Sequence, residues 1–220
     1  MNKDSKLYAI MENAKFLFEN KNEIIQKKTI KVRPTAEGFT VYSLESNHPM
    51  RGDNKAKKRD VDAINHIIEH PDFTDRGKEA ANGFREDDVQ ARFALGMLNN
   101  EEQFEGIEFV TAEFVLEKEN NRIDVLGVKD DTLYIFELKK STTTKVFEQM
   151  AEYLEEMSSK YDDTYKEILQ YYPNMNGRNI KKFVTIAVMP WSEHTKLRNK
   201  NVWLYEVPLL EGKDIIFHKY

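Results

Sequence analysis

Apolar residues recur along this chain with two periods, and the switches between them mark out its elements. From Phe84 the pattern is sharpest. FREDDVQARFALGML sets Val89, Phe93 and Met97 on one face at helical spacing, which predicts an amphipathic helix. GIEFVTAEFVLEK reads as one strand or a pair, and RIDVLGV and LYIFELKK as two strands joined by a Lys-Asp-Asp turn. KVFEQMAEYLEEM, preceded by the capping side chains of Ser141 to Thr144, is a second amphipathic helix. YKEILQYY is a short helix closed by Pro173, KKFVTIAVMP an apolar strand, WSEHTKLRN a helical crossover, and VWLYEV and DIIFHKY the last strands. The order from residue 84 is α-β-β-β-α-(α)-β-α-β, with DIIFHKY a last strand after it. Strands apolar on both faces and mixed with helices predict an α/β fold, a three-layer α/β/α domain around a mixed central sheet.

Upstream the signal is weaker. KLYAIM, KFLF, TIKV and FTVYSL read as short alternations around the turn RPTAEG, which predicts a small β-rich region. SNHPMRGDNK reads as a loop, and DVDAINHIIEH as a helix stopped by Pro71. The expected division is an accessory region over 1–80, β-rich with one helix, and a core domain over 81–220.

Charge and composition narrow the chemistry. The net charge of −5 divides into +2 over residues 1–80 and −7 over the remainder, so no global field draws in nucleic acid. The densest basic stretch, RGDNKAKKR, carries Arg51, Lys55, Lys57, Lys58 and Arg59 against Asp53. It is either a solvated loop or a loop contacting phosphates. With no cysteine, any metal must be held by carboxylates or imidazoles. No apolar run approaches the roughly 18 residues of a membrane span, and MNKDSKLYAI has no apolar leader. These features give the expectation of a cytoplasmic protein with no membrane partner.

The hairpin RIDVLGVKDDTLYIFELKK holds the unusual chemistry. Glu137 and Lys139 share one face of a strand whose two faces are otherwise apolar, and Asp124 is embedded in the partner strand. A carboxylate in such a place needs a cation. Two neighbouring carboxylates either raise one another's pKa or recruit a divalent ion, and oxygen ligation suits Mg²⁺ or Mn²⁺. The string acid-x-Lys alone is common, occurring here at Asp4, Glu19, Asp53, Glu137 and Glu211. The Glu137 copy is the one that ends an apolar strand after another strand with its own acid.

Asp124 in RID-VLGV, followed by Glu137-Leu138-Lys139 in LYIFELKK, resembles the core of the PD-(D/E)XK nuclease superfamily, the restriction-endonuclease-like fold. QMAEY on the next helix, Gln149 to Tyr153, is similar to the Q-x-x-x-Y motif of recombination-helicase nuclease domains. RIDVLG and ELKK also look like the mismatch-type and DUF91-type branches. The resemblance covers the C-terminal two-thirds. It implies a Mg²⁺- or Mn²⁺-dependent nuclease, with DNA the favoured substrate. It further implies metal ligation by Asp124, Glu137 and the Leu138 carbonyl, and Lys139 at the attacking water and scissile phosphate. In-line attack would leave a 5′-phosphate and a 3′-hydroxyl. Gln149 joins the catalytic group, and Tyr153 the nucleic-acid contacts. Glu86 matches the acid that many members carry on the first core helix; a local role at the helix start explains it equally, and Asp87 and Asp88 are its rivals. Residues 1–80 would dock substrate or a partner, and a homodimer or an activating protein stays open.

Competing patterns are thinner. His66-Ile67-Ile68-Glu69-His70 spells H-x-x-E-H, but His70 stands at a helix end before Pro71, where a histidine complements the dipole. No G-x-S-x-G elbow and no G-x-x-x-x-G-K phosphate loop occurs. The remaining alternative is a nuclease-like fold that binds nucleic acid or protein without cutting.

Overall fold

The computed structural model describes residues 3, 5–20, 30–43, 51–56, 86–118, 121–141, 143–191, 201–206 and 215–219. The expected helix DVDAINHIIEH with its H-x-x-E-H string, the crossover after Trp191, and Lys57, Lys58 and Arg59 lie outside them. The chain forms two compact units: Met1–Glu79 with Lys160–Arg178, and Ala80–Ser159 with Asn179–Tyr220. No helix among the described residues is long and apolar enough to cross a membrane.

The first unit begins with a helix, α1 (Lys6–Glu19), where short strands were expected. Leu7, Ile10, Met11, Ala14 and Leu17 are its buried apolar stripe. That 3.6-residue period runs through both KLYAIM and KFLF, and neither fragment alone is long enough to show it. The Ser5 side chain caps the helix, accepting from the Tyr8 N–H at 3.1 Å. Strands β1 (Ile30–Thr35) and β2 (Gly38–Ser43) pair antiparallel as TIKV and FTVYSL suggest. RGDNKA, read as a loop, is instead the third strand, β3 (Arg51–Ala56), paired to β2 across a register shift. Lacking an apolar alternation, it is a strand by virtue of its backbone partner. The Asn13 side-chain amide donates to the Thr35 carbonyl at 2.7 Å and ties α1 to the sheet. After the second unit's helix, a π-helical turn (Tyr161–Tyr165) and a four-residue helix (Lys166–Leu169) return to this first unit.

The second unit is a six-stranded mixed sheet with helices. Helix α2 (Glu86–Leu98) precedes β4 (Glu108–Val115), β5 (Arg122–Lys129) and β6 (Thr132–Leu138). Helix α3 (Lys145–Lys160) leads on to β7 (Lys182–Pro190), β8 (Val202–Glu206) and β9 (Ile216–Lys219). Strand order follows the chain; β6, β7 and β8 pair in parallel and the other neighbours antiparallel. Alternation sends Phe136 and Trp203 to the side where Phe93 of α2 lies, with ring centroids 4.8 and 5.7 Å from it. Phe104 and Phe217 complete that aromatic cluster around Phe93. Ala187, Met189, Val202 and Leu204 meet Val146 and Met150 of α3. Glu137 sits beside Ala187 in register and therefore shares the face toward α3.

Gly96 tests this packing. A Cβ there would overlap Phe104 Cε2 and lie 2.9 Å from Cζ, and this ring is buried among other rings. Alanine gains about 1 kcal/mol in helix propensity, but overpacking a confined ring costs roughly 1–3 kcal/mol. Gly96→Ala is expected to lower the melting temperature by about 2–6 °C in a thermal scan. A raised melting temperature would mean that the ring moves freely.

Candidate functional site

The site lies where β5 and β6 part. Their pairing runs from Lys129–Thr132 to Val125–Phe136 and stops there. One rung further, the Leu138 amide would face the Ile123 carbonyl. Instead it donates to Asp124 Oδ2 at 2.7 Å. The carboxylate thus stands in for the missing rung, which accounts for an aspartate inside an apolar strand. By register Asp124 and Glu137 are opposite one another and share a face. The Leu138 carbonyl lies just beyond the last rung.

Glu137 is almost wholly buried, at 1% exposure. Its Oε1 meets Lys139 Nζ at 2.5 Å, while its Oε2 is buried and receives no N–H or hydroxyl donor among the described residues; the Asp124 carboxyl, when protonated, is the neighbour that hydrogen-bonds Glu137. A buried carboxylate oxygen left bare is costly and calls for a cation or a donor. Burial raises the Glu137 pKa despite the pull of Lys139 and of a hydrogen bond with Asp124. Asp124, partly open to solvent, is pushed up to about 8, by burial first and then by the Glu137 charge; the Leu138 amide and Lys139 oppose this. Burial works against the Lys139 ammonium, but its bond to Glu137 and the charges of Glu137, Asp124 and Glu86 outweigh it and hold its pKa above the usual value.

Glu86 begins α2. Its Oε2 accepts from the Lys140 amide at 3.3 Å and its Oε1 lies 3.9 Å from Lys139 Nζ. It therefore faces the lysines, and no group of three or more Asp, Glu or His among the described residues is arranged to hold a metal. Gln149 donates to the Tyr153 hydroxyl, and Tyr153, buried, donates to the Arg122 carbonyl at 2.7 Å. Burial, then the Glu137 charge, keeps that phenol above its ordinary pKa and so protonated. The Gln149–Tyr153 pair thus braces the start of β5 and leaves the carboxylates to other partners. Arg51 and Lys55 belong to β3 in the first unit.

Three supports went unseen in the sequence. Gln90 Nε2 donates to the Asp124 carbonyl at 2.7 Å; its place four residues after Glu86 on α2 was the available signal. Tyr205 Oη donates to the Lys139 carbonyl at 2.9 Å, and burial followed by the Glu86 charge pushes its pKa to about 12. Nothing in VWLYEV separates that tyrosine from a core residue. The third is Glu113, buried, 3.4 Å from the Arg122 guanidinium and with a left-handed φ of 52° within β4.

Two carboxylates, one with a buried oxygen that no cation among the described residues meets, and a carbonyl beyond the last β5–β6 rung would suit a divalent ion of the Mg²⁺ type that keeps several waters. The charge state of Asp124 also gives a pH signature. It holds its proton more tightly folded than unfolded, so between the ordinary aspartate value and about 8 the folded state binds more protons, and stability falls as pH rises. The metal-free wild type is expected to lose stability relative to Asp124→Asn from about pH 5 to pH 8. Denaturant unfolding at several pH values checks this; a pH-independent difference between the two proteins would contradict it. Comparison with protein-family models, with curated proteins and with solved structures found no match to this chain.

Proposed function

We propose that this protein is a divalent-cation-dependent phosphodiester hydrolase acting on nucleic acid, DNA before RNA, on a three-layer core of the restriction-endonuclease type. The observation that carries this reading is the Glu137 carboxylate, buried, with one oxygen on Lys139 and the other without a cation or N–H donor among the described residues, beside an Asp124 of raised pKa. Buried ion groups of this kind are poor stabilisers, because apolar residues of similar volume serve a core as well or better. A recruited cation would explain their presence.

Asp124, Glu137 and the Leu138 carbonyl would hold Mg²⁺ or Mn²⁺. Once bound, the ion supplies charge neutralisation at the phosphoryl oxygens and acidifies a coordinated water. The chain's own residues do the rest. Glu137 holds the Lys139 ammonium beside the metal ligands, where it orients water and donates to a nonbridging phosphate oxygen. Glu86, at 3.9 Å, adds a further negative charge that keeps Lys139 protonated. Gln90 and Tyr153 pin the carbonyls on either side of Ile123 and so hold the Asp124 backbone. Arg51, Lys55, Lys57, Lys58 and Arg59 are assigned, in the same reading, to phosphate contacts.

The purified protein is incubated with labelled single- and double-stranded DNA and RNA in EDTA, Mg²⁺ or Mn²⁺. Cleavage with metal, abolished by EDTA and absent from a parallel Asp124→Asn preparation, is the expected result. Equal cleavage by both preparations would expose a contaminant. The ligand set of only two carboxylates favours one rival, a nuclease-like module that binds without cutting; polymer binding unaffected by EDTA, with no cleavage, would establish it.

A further inference from the structure

The parallel pairing of β6 with β7 sets Leu138 beside Val188, and the Lys139 N–H donates to the Val188 carbonyl at 2.8 Å. In a parallel ladder, a residue that donates to one carbonyl accepts from the amide two positions further along the same neighbour. For Lys139 that position is 190, and residue 190 is proline. Proline has no N–H to give. The rung is completed from the next strand: Tyr205, beside Pro190 in the β7–β8 register, donates its hydroxyl to the Lys139 carbonyl at 2.9 Å. Tyr205 is itself well anchored. It is buried, its ring packs edge-on against Phe217, and its own carbonyl accepts from the Trp191 amide at 2.7 Å.

We propose that Tyr205 is a positioning residue for Lys139: its hydroxyl makes the hydrogen bond that Pro190 cannot, and so fixes the main chain from which the Lys139 ammonium reaches Glu137. Without it the sheet would end one bond earlier, and Lys139 would be held by its N–H alone on the way to α3. The consequence for rate rests on the hydrolase reading; the hydrogen bond does not.

A second substitution repairs the first. Tyr205→Phe removes the donor, and adding Pro190→Ala restores an amide N–H at the position where the ladder asks for one. In protein labelled with ¹³C and ¹⁵N at lysine, Tyr205→Phe is expected to shift the Lys139 carbonyl resonance toward that of a free carbonyl. It should also weaken the protected Lys139 Nζ signal, and the double variant should return both. On a cleaved polymer, kcat should fall roughly tenfold in Tyr205→Phe with KM unchanged, and recover in the double variant. If Tyr205→Phe fails to fold, recovery of fold and carbonyl signal in the double variant supports the assignment, and failure of the double variant overturns it. An unmoved carbonyl resonance in Tyr205→Phe, or one that Pro190→Ala does not return, also overturns it. A wild type that cleaves nothing defeats the hydrolase reading, while the lysine resonances still decide the role of Tyr205.

Discussion

Glu137→Gln is expected to lose metal-dependent cleavage by a factor on the order of 10³ or more, with no loss of stability in the metal-free protein. The two effects separate because they come from different terms. In the proposed hydrolase, activity would need the carboxylate as a ligand and as the partner of Lys139, and an amide serves neither purpose well. Stability in the absence of metal does not need it, since burial disfavours the charged carboxylate. Glutamine has nearly the same shape, carries no charge to desolvate and can still accept from Lys139 Nζ. Cleavage assays beside metal-free thermal scans check the pair of outcomes. A variant that is inactive because it has unfolded would contradict the separation.

Lys139→Met should show the opposite pattern in stability. In the proposed hydrolase, cleavage should fall by roughly 10²–10³-fold through loss of the ammonium at the phosphate. The fold should also suffer near neutral pH, because Glu137 Oε1 loses the partner it holds at 2.5 Å and the carboxylate is left buried without a cation. Breaking a buried pair from one side costs about 3–5 kcal/mol. Acid relieves that penalty. The Glu137 pKa, already raised by burial, rises further without the lysine, so the folded state binds a proton that the unfolded state has released. Stability of the variant therefore falls as pH rises above the ordinary glutamate range and returns as pH is lowered. Urea unfolding of wild type and variant across that range measures it, and a deficit that grows in acid would contradict the account.

The hairpin was legible because charge is rare inside strands apolar on both faces, and Asp124, Glu137 and Lys139 each break that rule. Helices α2 and α3 were legible from helical spacing, Val89, Phe93 and Met97 in one and Val146, Tyr153 and Met157 in the other, all of them buried. Helix α1 was not, because the polar run Glu12-Asn13 splits its stripe into two fragments short enough to pass for strands. Strand β3 was not, because RGDNKA has no side-chain period at all and its partner is a backbone. At the site, the missed residues share a physical trait. Gln90 and Tyr205 act on main-chain carbonyls, of Asp124 and Lys139, and a carbonyl leaves no mark in the residue types around it. The Tyr205 contact follows from Pro190 only once the β6–β7 register is known.

The central claim is that the carboxylates of β5 and β6 hold a divalent cation. It is tested most directly by titrating Mn²⁺ into metal-free protein and following free Mn²⁺ by electron paramagnetic resonance. Wild type should take up Mn²⁺ and release it to excess Mg²⁺, and Glu137→Gln, equally folded, should bind it far more weakly. Uptake that is the same in both proteins, or absent from both, would contradict the account.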